Sequence, residues 1–207
     1  MDKVYNHQQH EEKIYKLWEK SGVFTPKVDK KKKPFTIIMP PPNASDPLHI
    51  GHARFVAIQD ILSRYHRMKG EPTLWLPGAD HAGIETQYVF EKRLASKGKS
   101  RFDFEREILY KMIWDYVMEN KSIMENQLRQ LGASCDWTRN KFTLEPIIVK
   151  IVNRVFKRLY DDGLIYRGER IVNYCPRCGT AFSQLEVNHV ERDDPFYFLD
   201  YETITIA

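Results

Sequence analysis

His49 and His52 stand three residues apart with Gly51 between them, in the run Pro40-Pro41-Pro42-Asn43-Ala44-Ser45-Asp46-Pro47-Leu48-His49-Ile50-Gly51-His52. On a helix that spacing puts both rings on one face. A neutral imidazole offers one N–H donor and one acceptor nitrogen, so a pair of them can grip an anion without carrying full charge. If a helix starts here, its unpaired amides and the positive end of its dipole favour an anion at the same spot. Gly51 has no Cβ, which lets a base or a phosphate approach the backbone. The chemistry these residues suit is stabilisation of negative charge on a nucleoside triphosphate, in a cradle that is not a Walker loop.

The surrounding elements must hold that cradle. Phe35-Thr36-Ile37-Ile38-Met39 reads as a buried strand leading into the proline loop,. Three prolines fix φ and remove three donors, so the loop is expected to stay extended with its carbonyls available. Ile50, Ala53, Ala57, Ile61 and Met68 predict the buried face of a helix that stops at Gly70,. Glu71-Pro72 then turns the chain into a second strand, Thr73-Leu74-Trp75-Leu76, where Trp75 is expected in the core,. Strand, helix, strand is a βαβ crossover with parallel strands. Ligands in such sheets sit at the carboxyl ends of the strands, so the His49/His52 loop and the Asp80/His81 loop should line one crevice.

Elsewhere the pattern is mainly helical. A helix over about His10 to Lys20, with Ile14, Leu17 and Trp18 docked inward, ends at Ser21-Gly22,. Lys30 to Lys33 reads as a solvated connection. Further helices are expected over Gln87 to Lys97 and Glu105 to Leu131, the second with Leu109, Ile113, Val117, Met124, Leu128 and Leu131 as its stripe. Pro146 opens another, with Ile148, Ile151, Val152, Val155, Phe156 and Leu159 inward and Gly163 as its stop,. Short extended pieces follow from Leu164. The division expected is residues 1–33 as a helix and basic linker, 34–163 as the catalytic half-domain, and 164–207 as a knuckle segment.

Composition narrows the classes. At 207 residues the chain can bury a proper core, and 42% hydrophobic with 29% charged residues is ordinary for a globular protein,. A net charge of +4 fits a nucleic-acid partner without demanding one,. Three cysteines, two of them in one Cys-x-x-Cys, argue against a disulfide framework and for a reducing compartment,. No stretch reads as a membrane span or a signal peptide, so a cytoplasmic protein is expected.

His-Ile-Gly-His after a proline-rich loop resembles the HIGH signature of class I aminoacyl-tRNA synthetases. Leu76-Pro77-Gly78-Ala79-Asp80-His81-Ala82-Gly83-Ile84-Glu85-Thr86-Gln87, Leu131-Gly132-Ala133-Ser134-Cys135-Asp136-Trp137 and Val172-Asn173-Tyr174-Cys175-Pro176-Arg177-Cys178 are similar, in that order, to stretches of the valyl-tRNA synthetases. The resemblance runs from about Trp18 to the end. It implies an α/β fold, the N-terminal half of a Rossmann-like parallel sheet of the HIGH-type nucleotidyltransferase class, with a small zinc-knuckle/β segment. It implies a monomer with ATP and Mg²⁺ as cofactors, and activation of valine to valyl adenylate followed by transfer to tRNA(Val). His49 and His52 are then catalytic, and Pro42, Asn43 and Gly51 join them around ATP. Pro41, Asn43 and Asp80 hold valine. An editing domain is expected to begin near Ala207, and the Lys-Met-Ser-Lys-Ser loop to lie outside the chain. Residues alone leave two other readings open: a compact adenylyltransferase sharing only His-x-Gly-His, and a non-catalytic zinc-knuckle module that binds RNA.

Ala44-Ser45-Asp46-Pro47 departs from the Val-Thr-Gly usual after the asparagine, and an acid here weakens ATP binding unless Asp46 points outward or helps bind Mg²⁺. Glu85 stands in place of an alanine, where it complements a helix dipole. Asp80 could alternatively cap the following helix. Cys175 and Cys178 have the spacing of half a zinc site, with His189 as a remote third ligand. Lone Cys135 is expected to be buried and inert. Gly98-Lys99-Ser100 mimics a phosphate loop, but Arg93 stands where that motif needs glycine,. Met118 to Ser122 faintly resembles the missing lysine loop, but inside a helical pattern.

Overall fold

The computed structural model describes residues 4–193, 195, 197–201 and 204–206. It divides into two compact units, residues 1–165 and 166–207; Ala207 lies outside the described residues. In the first unit β1 (Phe35–Ile38) and β2 (Thr73–Leu76) pair in parallel, Phe35 against Thr73 through Ile38 against Leu76, and α2 (Ile50–Met68) crosses between them. The expected βαβ unit is present. Pro77 alone separates β2 from β3 (Gly78–Ala79), which pairs in parallel with β4 (Lys141–Phe142). Around them lie α1 (His7–Ser21), α3 (Gly83–Ala95), α4 (Arg106–Gln130) and α5 (Pro146–Asp161).

One core cluster gathers Met39, Val56, Trp75, Leu128, Ala133 and Cys135, and a second gathers Ala44, Ala79, Val117, Met124 and Phe142. Trp75 is fully buried, and its indole N–H donates to Gln59 Oε1 at 2.9 Å. Burial of side chains this size stabilises by roughly 2 kcal/mol each. Cys135 is buried as expected, and burial pushes its thiol well above the usual range. Lys30 to Lys33 are exposed, with Lys32 Nζ on the Gly70 carbonyl at 2.9 Å.

Three helix faces differ from the sequence reading. On α1 the docked residue is Tyr15, while Ile14 and Leu17 face solvent; the Tyr15 hydroxyl donates to the Ala133 carbonyl and accepts from Trp137 Nε1. On α2 the stripe through Ile50, Ala57, Ile61 and Met68 faces outward, Ile50 and Met68 at 87% exposure. The inward side carries Val56 together with polar groups. Asp60 Oδ1 accepts from Ser134 N and Oγ, Arg64 reaches the Gly132 carbonyl, and Arg67 grips Ser134 Oγ and its carbonyl. Specific hydrogen bonds, not hydrophobic periodicity, set that face. On α5 no residue is buried, and Ile151, Val152, Val155 and Phe156 are about half exposed, because no described residue covers them. On α4, Val117, Met124 and Leu128 are buried as expected, whereas Leu131 is half exposed.

In the second unit β5 (Asn173–Cys175) pairs antiparallel with β6 (Thr180–Phe182), and β7 (Leu199–Tyr201) with β8 (Ile204–Ile206). Gly179, at φ 69°, makes the left-handed turn of the first hairpin,.

Candidate functional site

The proline loop and the loop after β3 run side by side. Asp80 N donates to the Pro42 carbonyl at 2.8 Å, Ala44 N donates to the Asp80 carbonyl at 2.7 Å, and Asn43 pairs with Asp80 in a parallel bridge. Asn43 and Asp80 are thus neighbours, as the crevice reading requires. The Pro42 carbonyl, expected to be available, is taken by Asp80, and Pro42 is buried while Pro41 is exposed.

Beyond Asn43 the loop is held from below by α4. The Tyr116 hydroxyl and Asn120 Nδ2 both donate to the buried Ser45 carbonyl, at 2.6 and 3.2 Å, and Leu48 N donates to Gln127 Oε1 at 2.8 Å. Ala44 and Ser45 are buried, so Asp46 is left exposed and outward. Asn43 Nδ2 donates to Glu85 Oε2 at 2.6 Å; Glu85 therefore does more than complement the dipole of α3.

At the entry to α2, His49 is the N-cap and His52 closes a capping box with it. His49 Nδ1 accepts from Gly51 N at 3.1 Å, and His52 Nδ1 accepts from His49 N at 3.2 Å. A ring nitrogen that accepts from an amide carries no proton, so in both neutral rings the proton sits on Nε2. The caps consume one side of each ring and leave two N–H donors for a ligand. The rings lie 4.0 Å apart between centroids. Partial burial, and then the neighbouring His49, hold His52 below the ordinary imidazole pKa, which keeps it neutral,. A Cβ on Gly51 would come within 2.8 Å of His49 Cε1. A side chain at this position would push the His49 ring aside.

Asp80 does not cap α3, whose N-cap is Ala82 in the left-handed region at φ 53°. Its Oδ1 accepts instead from Ala82 N at 3.0 Å and contacts Thr143 Oγ1 at 3.2 Å. Thr143 Oγ1 also accepts from His81 N at 3.0 Å and lies 2.7 Å from His81 Nδ1. Thr143, Tyr116, Asn120 and Gln127 were not singled out in the sequence. For Thr143 a signal exists: it follows the short strand β4, at the carboxyl end where ligands bind,.

Cys175 and Cys178 lie at the β5–β6 turn, and the Cys178 backbone N–H holds the Cys175 thiol below the usual range. Among the described residues no group of three His, Cys, Asp or Glu side chains is placed to hold a metal. His189 faces Gln184 at 2.6 Å. Two thiols do not complete a four-ligand zinc site. Among the described residues no helix is long and apolar enough to cross a membrane.

A family model described as tRNA synthetases class I (I, L, M and V) matches residues 13–199. The chain is 50% identical over 201 residues to a valine–tRNA ligase of Dehalococcoides mccartyi, covering 97% of this chain and 23% of that one. It is 49% identical over 191 residues to the chloroplastic/mitochondrial valine–tRNA ligase 2 of Arabidopsis thaliana, 92% of this chain and 20% of that one. It thus spans less than a quarter of the length of these relatives. Among solved structures it resembles the LeuRS of Agrobacterium radiobacter K84, crystallised in a ternary complex with tRNA and LeuAMS. The TM-score is 0.74 at 24% identity, over 87% of this chain and 21% of that one. That likeness shows a Rossmann-like class I fold.

Proposed function

The chain belongs to the class I tRNA synthetases, and from that premise we propose that it carries the HIGH-bearing half of a valyl-tRNA synthetase active site. In the proposed reaction a carboxylate oxygen of valine attacks the α-phosphorus of ATP. The bond from that phosphorus to the bridging oxygen breaks, and pyrophosphate leaves with the electron pair. A hydroxyl oxygen of tRNA(Val) then takes the acyl group of valyl adenylate, the bond between the acyl carbon and the phosphate oxygen breaks, and AMP leaves. No covalent enzyme intermediate is needed, so the protein's work is positioning and charge stabilisation. Residues 34–163 are the catalytic half-domain in this reading, acting in a monomeric cytoplasmic enzyme.

The observation that carries the proposal is the pair of Nε2–H donors on His49 and His52 at the N-terminus of α2. They suit charge growing on the phosphoryl oxygens. Gly51 leaves room for the His49 ring folded over it, and buried Pro42 and half-buried Asn43 shape the ATP side. The carbonyl of Pro41, an exposed residue, and the Asp80 carboxylate receive the valine ammonium, a charge-assisted contact, while Asn43, gripped by Glu85, holds the loop beside Asp80. Mg²⁺ held with the ATP phosphates would supply charge neutralisation, and Asp46, which faces outward, adds no acid to the ATP side. Cys175 and Cys178 form half of a zinc knuckle whose other ligands come from outside the described residues.

Valine-dependent exchange of labelled pyrophosphate into ATP tests the proposal, with His49→Ala/His52→Ala as comparison. The proposal requires exchange, or at least ATP binding, that disappears in the variant. ATP turnover indifferent to valine would favour a compact adenylyltransferase. Salt-sensitive RNA binding untouched by the variant, with no nucleotide chemistry, would favour a binding module.

A further inference from the structure

We infer that Thr143 is a positioning residue of the amino-acid site, whose hydroxyl locks the Asp80 carboxylate so that Oδ2 alone is open to a ligand's ammonium group. The inference rests on the proposed role of Asp80 and adds to it a residue that touches no substrate.

A threonine hydroxyl has two lone pairs and one proton. Three polar atoms surround Thr143 Oγ1: His81 N at 3.0 Å, His81 Nδ1 at 2.7 Å and Asp80 Oδ1 at 3.2 Å. The backbone N–H of His81 must donate, which occupies one lone pair. If His81 Nδ1 also carries a proton, it fills the second, and the hydroxyl proton goes to the carboxylate. Every site on the hydroxyl is then used. In the opposite tautomer the hydroxyl donates to Nδ1, and its other contact sets a hydroxyl oxygen against a carboxylate oxygen with no proton between them. His81 Nδ1 and Asp80 Oδ1, 3.3 Å apart, would repel in the same way. The other ring nitrogen agrees: Nε2 lies 3.9 Å from where a Cβ on Gly83 would sit, at the first residue of α3. The positive end of a helix favours a lone pair there over a proton.

The order is therefore His81 Nδ1–H to Thr143 Oγ1, and Thr143 O–H to Asp80 Oδ1. With Ala82 N–H at 3.0 Å, Oδ1 receives two donors, and the left-handed Ala82 is what bends that N–H back. Among the described residues nothing hydrogen-bonds to Oδ2. The carboxylate cannot rotate without giving up both donors, so Oδ2 stays the open oxygen.

The test uses the 207-residue chain with ¹⁵N-labelled histidine, as wild type, Thr143→Val and Thr143→Ser, followed by NMR and titrated with valine. With the ring neutral, wild type and Thr143→Ser should show the His81 proton on Nδ1. Thr143→Val should lose that preference and bind valine about tenfold more weakly, with ATP binding unchanged, the size expected for losing a hydrogen bond to a charged group. An Nε2–H ring in the wild type, or valine binding equal in Thr143→Val, would overturn the inference. A wild-type chain that takes no valine would instead overturn the amino-acid role of Asp80, while the tautomer signal still decides whether Thr143 orders the cluster.

Discussion

The phenolic hydroxyl of Tyr116, on the long helix α4, donates to the backbone carbonyl of Ser45 at 2.6 Å, across 71 residues of chain. Asn120, one turn along, gives the same carbonyl a second donor at 3.2 Å. A carbonyl oxygen has two lone pairs, so the bond is duplicated and the loop before His49 is fastened twice.

Duplication predicts non-additive mutants. Tyr116→Phe or Asn120→Ala alone should each cost about 1 kcal/mol, the net value of one hydrogen bond. The double variant should cost more than the sum, because the buried carbonyl is then left without a donor. Denaturant unfolding of the four proteins measures this; strict additivity would mean that water or a shifted side chain takes over.

Gly51→Ala separates stability from function. Alanine gains about 1 kcal/mol of helix propensity over glycine, and displacing the His49 cap loses about the same. Stability should therefore change by less than about 1 kcal/mol. The His49 ring must move, since the new Cβ falls 2.8 Å from Cε1. Loss of one such donor typically slows chemistry about a hundredfold. A stable variant with markedly slower pyrophosphate exchange is the expected result.

The parts of this structure legible in the sequence are those where local pattern and burial agree. Strands β1 and β2, Trp75 in the core, buried Cys135 and the stop of α1 at Gly22 all follow from apolar runs and turn residues. The inward face of α2 was not legible. Ile50, Ile61 and Met68 outscore Gln59, Asp60 and Arg67 on any hydrophobic scale. The polar set is nevertheless the inward one, because each member meets a defined partner: Trp75 Nε1, the Ser134 amide, the Ser134 carbonyl. Periodicity shows that a stripe exists, but not which surface covers it. Tyr116 was hidden for a related reason, since its partner lies 71 residues away and nothing in its neighbourhood announces a bond.

Ser63 offers a stabilising change. Its hydroxyl is fully buried on α2 and has no hydrogen-bond partner among the described residues. Removing an unsatisfied buried polar atom, and placing alanine in a helix interior, both act in the same direction. Ser63→Ala should raise stability by about 1 kcal/mol, seen as a higher unfolding midpoint at unchanged slope. A loss would show that the hydroxyl meets a bound water.

The thiols of Cys175 and Cys135 should separate by reactivity. The Cys178 amide holds Cys175 below the usual thiol range, whereas burial pushes Cys135 far above it. Since the thiolate is the nucleophile, iodoacetamide at neutral pH should label Cys175 quickly and Cys135 only after denaturation. Mass spectrometry of a time course reads the order directly, and early labelling of Cys135 would contradict the buried core at β2.

His52 should make the fold sensitive to mild acid. Burial, then the neighbouring His49, lowers its pKa in the folded chain,. The unfolded chain keeps the ordinary value of about 6.5. As pH falls through that value the unfolded state takes up its proton first, so the unfolded state binds more protons and stability rises with pH across the window. Stability should therefore be full above the ordinary histidine range, and decline as pH drops until the folded ring is also protonated. Protonation of His52 Nδ1 also removes the acceptor for the His49 amide, so the cap of α2 loosens in the same window. His52→Gln carries no titrating ring and should flatten this part of the profile. Denaturant midpoints between pH 7.5 and 5 compare the two, and parallel profiles would show that His52 takes no part.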